Sequence, residues 1–357
     1  MDTDKITAAL GRPPETIAIF RAIKLGDLLV SIPALRALRH AFPQARISLI
    51  SLPWAVDFVR RFPQYLDTFI PFPGWPGLPE QAVDAQKTTQ FLQRMQRKAF
   101  DVVLQLQGNG TCVNPMMGLL GARLTAGYYP ESLPQYCLDS TFYRPYLEGQ
   151  HEIRRHVQLM EFLGIPGQGY DLEFPLTKAD SQRARQVSEL QSLKPHRYVC
   201  IHAGGISARR WPEYRFAEVA DALAANGYAV VLTGTASEAP IIEDVRSRMK
   251  APAISLAGKT DLGVIGWVLS RAALLVSNDT GVSHIASALK TPSVIIYSTS
   301  RPDEWGPLNQ QLHRAVREAE ATDSRRVIDE ALNLLAAKPP HSTAGSSPAQ
   351  TAPVQND

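Results

Sequence analysis

Residues 16–51, TIAIFRAIKLGDLLVSIPALRALRHAFPQARISLIS, contain two short apolar runs separated by a helix-like segment. The runs, Thr16 to Phe20 and Arg46 to Ser51, have the length and the polar boundaries typical of buried strands. Between them, apolar residues recur at helical spacing from Leu28 to Leu38, and Phe42-Pro43 predicts where the helix ends. Two strands joined by a helix predict a parallel pair with a right-handed crossover.

Strand and helix patterns alternate along the rest of the chain. Further strands are predicted over residues 101–106, 124–128, 198–202, 228–232, 253–256, 274–277 and 293–297. Further helices are predicted over residues 80–99, 113–120, 151–163, 213–226, 236–249, 262–271, 282–289 and 323–337. Residues 129–150 are rich in Pro, Tyr and Gly and are expected to be irregular. This alternation predicts an α/β protein with doubly wound parallel sheets.

The length of the chain predicts two domains. It has 357 residues, of which 45% are hydrophobic, so each half has enough apolar residues to bury a core. The loop-like segment Pro166–Pro175 separates the two series of strands. We therefore predict a first domain over residues 1–170 and a second over residues 171–337. The tail, residues 338–357, is rich in Pro, Ser, Ala and Thr and is predicted to be disordered.

Charge and cysteine content exclude several classes of protein. A net charge of +3, from 37 basic and 34 acidic residues, predicts no nucleic-acid partner. The three scattered cysteines form no C-x-x-C pair, which predicts neither a disulfide framework nor a zinc site and fits a reducing cytoplasm. The sequence shows no signal-peptide core and no run of ~20 apolar residues that would span a membrane. We expect a cytoplasmic protein without a transmembrane segment, whose membrane contact is peripheral.

Residues able to do chemistry concentrate where a strand is followed by a helix, the edge at which open α/β sheets bind ligands. The first such junction is Lys24-Leu25-Gly26-Asp27. Asp27 is either a general base held near an acceptor hydroxyl or a helix N-cap, a favoured role for Asp. Lys24 either supplies positive charge to the cleft or is merely solvated.

A second junction follows the predicted strand that ends at His202. Gly204 and Gly205 would let backbone N–H groups approach a phosphate closely. Ser207, Arg209 and Arg210 add hydroxyl and guanidinium donors suited to phosphate. The alternative is an ordinary glycine turn followed by a basic pair on the surface.

A third junction, Thr233 to Glu238, lies in the same half of the chain. A carboxylate at this edge of a sheet binds ribose hydroxyls in dinucleotide sites. The alternative for Glu238 is an acid in the first turn of a helix, where it interacts favourably with the helix dipole.

The fourth junction is Asn278-Asp279-Thr280-Gly281, followed by His284. The free N–H groups at the start of this helix predict a pyrophosphate site around Thr280 and Gly281. Asp279 would repel phosphate, so we expect it to contact sugar hydroxyls or to cap the helix. His284 either hydrogen-bonds the phosphate or is structural. The histidine spacings predict no metal site, so helix termini and Arg or Lys would neutralise a diphosphate.

Together these segments resemble glycosyltransferase family 9, the heptosyltransferase family of lipopolysaccharide core assembly, over about residues 16–310. The resemblance is carried by these ordered motifs: Ile19-Phe20-Arg21 through Asp27, Ile32-Pro33-Ala34-Leu35-Arg36, His202-Ala203-Gly204, Arg210-Trp211-Pro212, Thr233-Gly234 with Glu238, Leu256-Ala257-Gly258-Lys259-Thr260, and Asn278-Asp279-Thr280-Gly281 with His284. It implies a GT-B fold, in which two Rossmann-like domains face a cleft, with the acceptor on the first and the nucleotide sugar on the second.

The resemblance also implies roles for individual residues. Asp27 would be the catalytic base, Glu238 would bind the ribose, and Asp279 would lie near the donor sugar. Near the diphosphate the resemblance places Thr280, Gly281 and His284. Charge on the leaving diphosphate would be stabilised by Arg209, Arg210 and the helix at Thr280-Gly281. Arg209 stands where the family commonly has Lys, and it changes reach and geometry while keeping the charge.

The activity implied is inverting transfer of heptose from ADP-heptose, without a metal or other cofactor, to a lipopolysaccharide-core-type glycolipid at the inner membrane surface. Arg21 and Lys24 would meet acidic groups of that acceptor. Three alternatives remain open. One is the same family with another nucleotide sugar or a protein or polysaccharide acceptor. Another is a nucleotide-sugar epimerase, which needs a second acid/base group that the sequence does not identify. The last is a nucleotide-sugar-binding scaffold without activity.

Overall fold

The structure is a computed structural model that describes residues 3–206 and 210–337. The described residues form two parallel six-stranded sheets, with helices between the strands. This architecture confirms the predicted α/β class with doubly wound sheets. Ser207, Arg209 and the tail over residues 338–357, all named in the predictions, lie outside the described residues.

The first sheet contains the strands of the N-terminal half. They are β1 (Thr16–Phe20), β2 (Arg46–Ser51), β3 (Thr68–Pro71), β4 (Val102–Gln105), β5 (Leu124–Tyr129) and β6 (Tyr143–Pro145). Their spatial order is β3-β2-β1-β4-β5-β6. The β1 strand is central and pairs in parallel with both neighbours, since Ile17 lies opposite Ile47 on one side and Val102 on the other.

The second sheet repeats this arrangement. Its strands are β7 (Tyr198–His202), β8 (Ala229–Leu232), β9 (Ala253–Ser255), β10 (Leu274–Asn278), β11 (Ser293–Tyr297) and β12 (His313–Arg317), in the order β12-β11-β10-β7-β8-β9. Counted from its own first strand, each sheet has the order 3-2-1-4-5-6 of dinucleotide-binding domains. The order reverses between β1 and β4 in one sheet and between β7 and β10 in the other, and ligands bind at such positions.

The described residues contain fourteen α-helices. They are α1 (Lys5–Leu10), α2 (Leu25–Leu29), α3 (Ile32–Ala41), α4 (Val56–Arg61), α5 (Ala85–Lys98), α6 (Asn114–Met117), α7 (Glu152–Phe162), α8 (Lys178–Gln186), α9 (Glu213–Ala225), α10 (Ala239–Arg248), α11 (Leu262–Arg271), α12 (Gly281–Ala288), α13 (Pro302–Trp305) and α14 (Arg325–Ala336). The α7 helix packs on α3 and the α8 helix on α11. The chain therefore passes between the halves after α7 and before α8, a stretch that includes the predicted boundary at residue 170.

Some elements differ from the sequence predictions. The single helix predicted after β1 is divided into α2 and α3, because Pro33 has no N–H to donate and occupies the first turn of a new helix. The β3, β6 and β12 strands were not predicted, since they are short or lie at a sheet edge and have weak apolar patterns. The β6 strand lies in a segment that was expected to be irregular.

Central strands of both sheets are buried on both faces. The residues of β10 and β11 are all buried, as are four of the five in β1. Such continuous apolar strands are expected when helices cover both faces of a parallel sheet. In the described part of the chain, no helix is long and apolar enough to cross a membrane.

Candidate active site

The first turns of α2 and α12, which follow the central strands β1 and β10, pack against each other. A Cβ atom on Gly26 would lie 2.7 Å from Cδ2 of His284. A Cβ atom on Gly281 would lie 3.3 Å from Cβ of Leu25. Glycine at both positions permits this approach, because a side chain would press against the opposite helix. The two switch points therefore meet where α2 contacts α12.

Asp27 lies in the first turn of α2, next to this contact with α12. Lys24, whose backbone is extended with φ −76° and ψ 170°, is the N-cap residue, so the N-cap interpretation of Asp27 is wrong. The Asp27 side chain is 19% exposed. Burial raises the pKa of its carboxyl above the usual 3.8, while the nearby Arg21 and His284 oppose the shift and Glu152 adds to it. A carboxylate of raised pKa at a cleft has the properties of a general base.

Arg21 lies behind Asp27, inside the first half of the molecule. Its side chain is 3% exposed, and its Nη2 lies 4.0 Å from Asp27 Oδ1. Its Nε–H donates to the carbonyl oxygen of Asp27 at 2.6 Å, and Nη1 donates to the carbonyl of Leu106. The buried Arg21 guanidinium therefore supports the backbone of Asp27, and its predicted contact with the sugar acceptor stays a prediction. Lys24 is exposed, as an acceptor contact requires.

His284 belongs to α12 and is buried against α2. Burial lowers the pKa of its imidazole, and the nearby carboxylates of Asp279 and Asp27 oppose this shift. A neutral imidazole has one N–H donor and one acceptor nitrogen. His284 therefore lies between Asp27 on one half and the N-terminus of α12 on the other, where its imidazole can donate one hydrogen bond.

Asn278 is the last residue of β10. It connects both ends of the glycine loop, the segment from residue 203 to residue 211 that follows β7. Its Nδ2 donates to the carbonyl oxygens of Ala203 and Gly204, each at 3.0 Å. Its Oδ1 accepts a hydrogen bond from the backbone N–H of Trp211 at 2.9 Å. Sequence analysis included Asn278 in a motif but gave it no role. The available signal was a polar side chain ending an otherwise apolar strand.

Glu238 is half-buried beside the glycine loop. Its Oε1 accepts the backbone N–H of Gly205 at 2.7 Å, and its Oε2 accepts the backbone N–H of Thr235 at 2.7 Å. Burial would raise the pKa of this carboxyl, but the hydrogen bonds and the nearby His202 hold it below its usual value. Glu238 therefore caps a 3-10 turn, as the helix-dipole interpretation suggested, and its ribose role stays a prediction.

Both loop glycines are required by this geometry. A Cβ atom on Gly204 would lie 2.3 Å from Glu238 Oε1. Gly205 has φ +122°, a conformation that residues with a side chain rarely adopt, and a Cβ there would lie 2.8 Å from Cγ2 of Thr280. The glycine loop therefore lies beside the first turn of α12.

Thr280 is the N-cap residue of α12, and its Oγ1 is buried without a hydrogen-bond partner among the described residues. The Nε atom of Arg210 is likewise buried without a hydrogen-bond partner among the described residues. Buried polar groups are almost always paired, so each of these two donors is available for a hydrogen bond to a ligand. The N–H groups of the α12 first turn also suit an anion.

Two other predicted donor residues have partners within the protein. Asp279 Oδ2 accepts a hydrogen bond from Ser300 Oγ at 2.5 Å, so this carboxylate does not cap α12. Thr233 is fully buried, and its hydroxyl lies 3.1 Å from Nδ1 of His202. The Thr233 hydroxyl is therefore held within the protein beside His202, and its role in donor binding stays a prediction.

Among residues 3–206 and 210–337, no cluster of three or more His, Cys, Asp or Glu side chains is placed to hold a metal ion. The positive groups described near the cleft belong to the protein itself. They are Arg21 and Lys24 beside Asp27, the α12 N-terminus and the partly buried Arg210.

Two Rossmann-like sheets that meet at their switch points have the arrangement of the GT-B class of glycosyltransferases. The family model "Glycosyltransferase family 9 (heptosyltransferase)" matches residues 88–333. That is more than half of the chain, and the chain belongs to this family. It is therefore a glycosyltransferase, as the sequence resemblance implied.

Individual relatives agree with this assignment. Lipopolysaccharide heptosyltransferase 2 of Salmonella typhimurium is 26% identical over 303 residues, which cover 80% of this chain and 84% of the relative. The structure of a family 9 glycosyl transferase from Veillonella parvula matches with a TM-score of 0.75 at 20% identity, covering 90% of this chain and 97% of that one. The structure of E. coli ADP-heptose lps heptosyltransferase II matches with a TM-score of 0.71 at 22% identity, covering 90% and 98%. These structures share the fold.

Proposed function

We propose that this protein transfers heptose from ADP-heptose to a lipopolysaccharide-core-type glycolipid, with inversion at the anomeric carbon and without a metal. The observation that carries the proposal is the meeting of Asp27 with the first turn of α12 across one cleft. The names of the relatives support the choice of sugar and acceptor. The enzyme would act as a cytoplasmic protein at the inner membrane surface.

In the proposed reaction, Asp27 takes the proton from an acceptor hydroxyl as its oxygen bonds to the anomeric carbon. The bond from that carbon to the diphosphate oxygen breaks on the opposite face, and ADP leaves with the bonding electrons. Attack opposite the leaving group inverts the anomeric configuration. The raised pKa of Asp27 makes it a stronger base than an ordinary aspartate.

Negative charge develops on the leaving diphosphate, and the proposal assigns its stabilisation to the second half of the molecule. Thr280 and Gly281 would present the α12 N–H groups to the phosphates, and His284 would donate one hydrogen bond. Around the same phosphates we place Gly204, Gly205, Ser207, Arg209 and Arg210. Such fixed charges and dipoles replace the metal that many nucleotide-sugar enzymes use.

The remaining assignments concern the substrates. Glu238 would accept hydrogen bonds from ribose hydroxyls through lone pairs not used by Gly205 and Thr235. Asp279, held by Ser300, would accept hydrogen bonds from donor-sugar hydroxyls. Lys24, exposed beside Asp27, would meet an acidic group of the acceptor.

Calorimetric titration in EDTA against ADP, UDP, GDP and ADP-heptose tests donor choice and metal independence together. We expect binding of ADP and ADP-heptose only. Preference for UDP or GDP would keep the enzyme class and discard the heptose donor. If the protein binds ADP-heptose but is inactive with every acceptor, the scaffold alternative gains support.

Asp27→Ala tests the base. We expect turnover to fall by about 10²–10⁴-fold, the usual contribution of a general base, with donor affinity unchanged. In the wild type, kcat/KM should be lost as the pH falls through the Asp27 pKa, which lies above 3.8. Turnover near the wild-type rate in Asp27→Ala would remove Asp27 from the mechanism.

A further inference from the structure

A second buried carboxylate lies behind Asp27. Glu152 is in the first turn of α7, and its side chain is 6% exposed. Its Oε2 lies 3.8 Å from Nη2 of Arg21. The same Nη2 lies 4.0 Å from Asp27 Oδ1. The Arg21 guanidinium is therefore shared between Asp27 and the more deeply buried Glu152.

Glu152 is held in place from several sides. Its Oε1 accepts hydrogen bonds from Arg155 Nε at 2.8 Å and from Tyr146 Oη at 3.2 Å. Its Oε2 lies 3.4 Å from Nε2 of His156. The guanidinium of Arg155 also lies 3.6 Å from the centre of the Tyr146 ring. A carboxylate with this many partners cannot turn away from Arg21 without breaking them.

The charges in this cluster are defined at neutral pH. Burial would raise the pKa of Glu152, but His156, Arg21 and Arg155 lower it to about 2. Burial lowers the pKa of His156 to about 4, so its imidazole is neutral at pH 7. The cluster with Asp27 therefore contains two guanidinium groups and two carboxylates, and Glu152 balances charge that Arg21 would otherwise direct at Asp27.

We propose that Glu152 is a positioning residue for the transfer reaction, which holds Arg21 so that Asp27 is fixed in place and remains basic. The inference rests on the proposed role of Asp27. Arg21 fixes the Asp27 backbone through its Nε–H bond to the carbonyl oxygen, and it also contacts the carbonyl of Leu106 after β4. Nη2 lies at nearly the same distance from both carboxylates, so Glu152 shares the charge that Arg21 would otherwise direct at Asp27 alone.

The charged and titratable groups that act on Asp27 come from three elements. Arg21, after β1, lowers its pKa, as does His284 on α12, whereas Glu152 on α7 raises it. Without the Glu152 charge, Arg21 would act on Asp27 alone. The Asp27 pKa would then fall, and the carboxylate would become a weaker base.

Glu152→Gln tests this inference, because the amide keeps the size of the side chain and removes the charge. We expect kcat to fall about 10-fold and the acid limb of the pH profile to move to lower pH, with the donor KM unchanged. Asp101→Asn is the matched control. Asp101 is a buried carboxylate that accepts a hydrogen bond from Arg12 at 2.8 Å, at the amino-terminal end of the central strands β1 and β4. Asp101→Asn should lower the free energy of unfolding without moving the acid limb of the pH profile.

Glu152→Asp provides a second variant if Glu152→Gln does not fold. It keeps the charge but withdraws the carboxylate from Arg21 by about one methylene, so kcat should fall several-fold while the acid limb stays near its wild-type position. A wild-type kcat in Glu152→Asp, or an unmoved acid limb in a folded Glu152→Gln, would overturn the inference. If Asp27→Ala also keeps wild-type turnover, the proposed base fails; if Asp27→Ala is inactive, only the role of Glu152 fails.

Discussion

Asn278 joins the two ends of the glycine loop through a single amide group. The three backbone groups that it contacts belong to residues 203, 204 and 211, which lie 67 to 75 positions away in the chain. The sequence revealed the motif that contains Asn278, because glycine and hydroxyl residues after a strand are recognisable. It could not reveal these partners, since they depend on the parallel pairing of β7 with β10.

Asn278→Ala should reduce both stability and donor binding. The change leaves the N–H of Trp211 and two carbonyl oxygens without their partner, which should cost about 3 kcal/mol of unfolding free energy. The released loop should also weaken ADP binding. Urea denaturation and calorimetric titration measure the two effects.

Asn226→Ala is the matched control, because its Nδ2 donates to the carbonyl of Ala222 at an exposed helix end. We expect it to change stability by less than about 1 kcal/mol and to leave ADP affinity unchanged. Equal behaviour of the two variants would show that the loop does not depend on Asn278.

At the scale of elements, the close approach of α2 and α12 brings the two halves of the site together. The sequence predicted both helices from apolar spacing and from glycine after a strand. The break between α2 and α3 was also present in the sequence, as Ser31 followed by Pro33, but the apolar spacing continues across it. The contact of Gly26 with His284 was not predictable, because no local pattern records which helix a glycine faces.

Gly26→Ala tests whether this approach matters for transfer. Alanine is favoured over glycine within a helix by about 1 kcal/mol, so propensity alone would stabilise the variant. Its Cβ, however, would lie 2.7 Å from Cδ2 and 3.1 Å from Nε2 of His284. The imidazole or the helix must move, and we expect kcat/KM to fall by on the order of 100-fold, as for a displacement near 1 Å at a reacting centre.

Gly118→Ala is the control for this substitution. Gly118 is exposed at the end of α6, and among the described residues the nearest neighbour of a Cβ there is the carbonyl oxygen of Pro115 at 3.8 Å. Steady-state kinetics of both variants decide the question. Wild-type activity in Gly26→Ala would mean that the observed spacing of α2 and α12 is unimportant for turnover.

At the scale of the whole molecule, the two halves share buried apolar surface. Leu28 and Leu29 on α2 belong to the same core cluster as Val282 and Ile285 on α12. The sequence predicted two domains, because the strand series restarts after a Pro- and Gly-rich segment. It gave no indication of this shared core, since apolar spacing shows that a helix face is buried but not which neighbour covers it.

The buried histidines determine how the molecule responds to acid. Burial lowers the pKa of both His156 and His313 from 6.5 to about 4. Between these values the unfolded chain binds a proton that the folded protein does not, so stability is lost as the pH falls from 6.5 to 4. Each histidine should account for about 3 kcal/mol of this loss. The pKa of Glu152 is lowered from 4.5 to about 2. Its charge therefore contributes stability above pH 4.5, and this contribution is lost as the pH falls from 4.5 to about 2.

His313→Gln should therefore flatten the dependence of unfolding free energy on pH between 6.5 and 4. His313 is suited to this test because it lies in β12, away from Asp27, and its imidazole Nδ1 is 2.8 Å from Ser293 Oγ. At pH 7 the variant should be somewhat less stable than the wild type, because it lacks the hydrogen bond with Ser293. Between pH 6.5 and 4, however, its unfolding free energy should fall by about 3 kcal/mol less than that of the wild type. Urea denaturation at several pH values measures the slope. A wild-type slope in His313→Gln would show that this histidine does not titrate with folding.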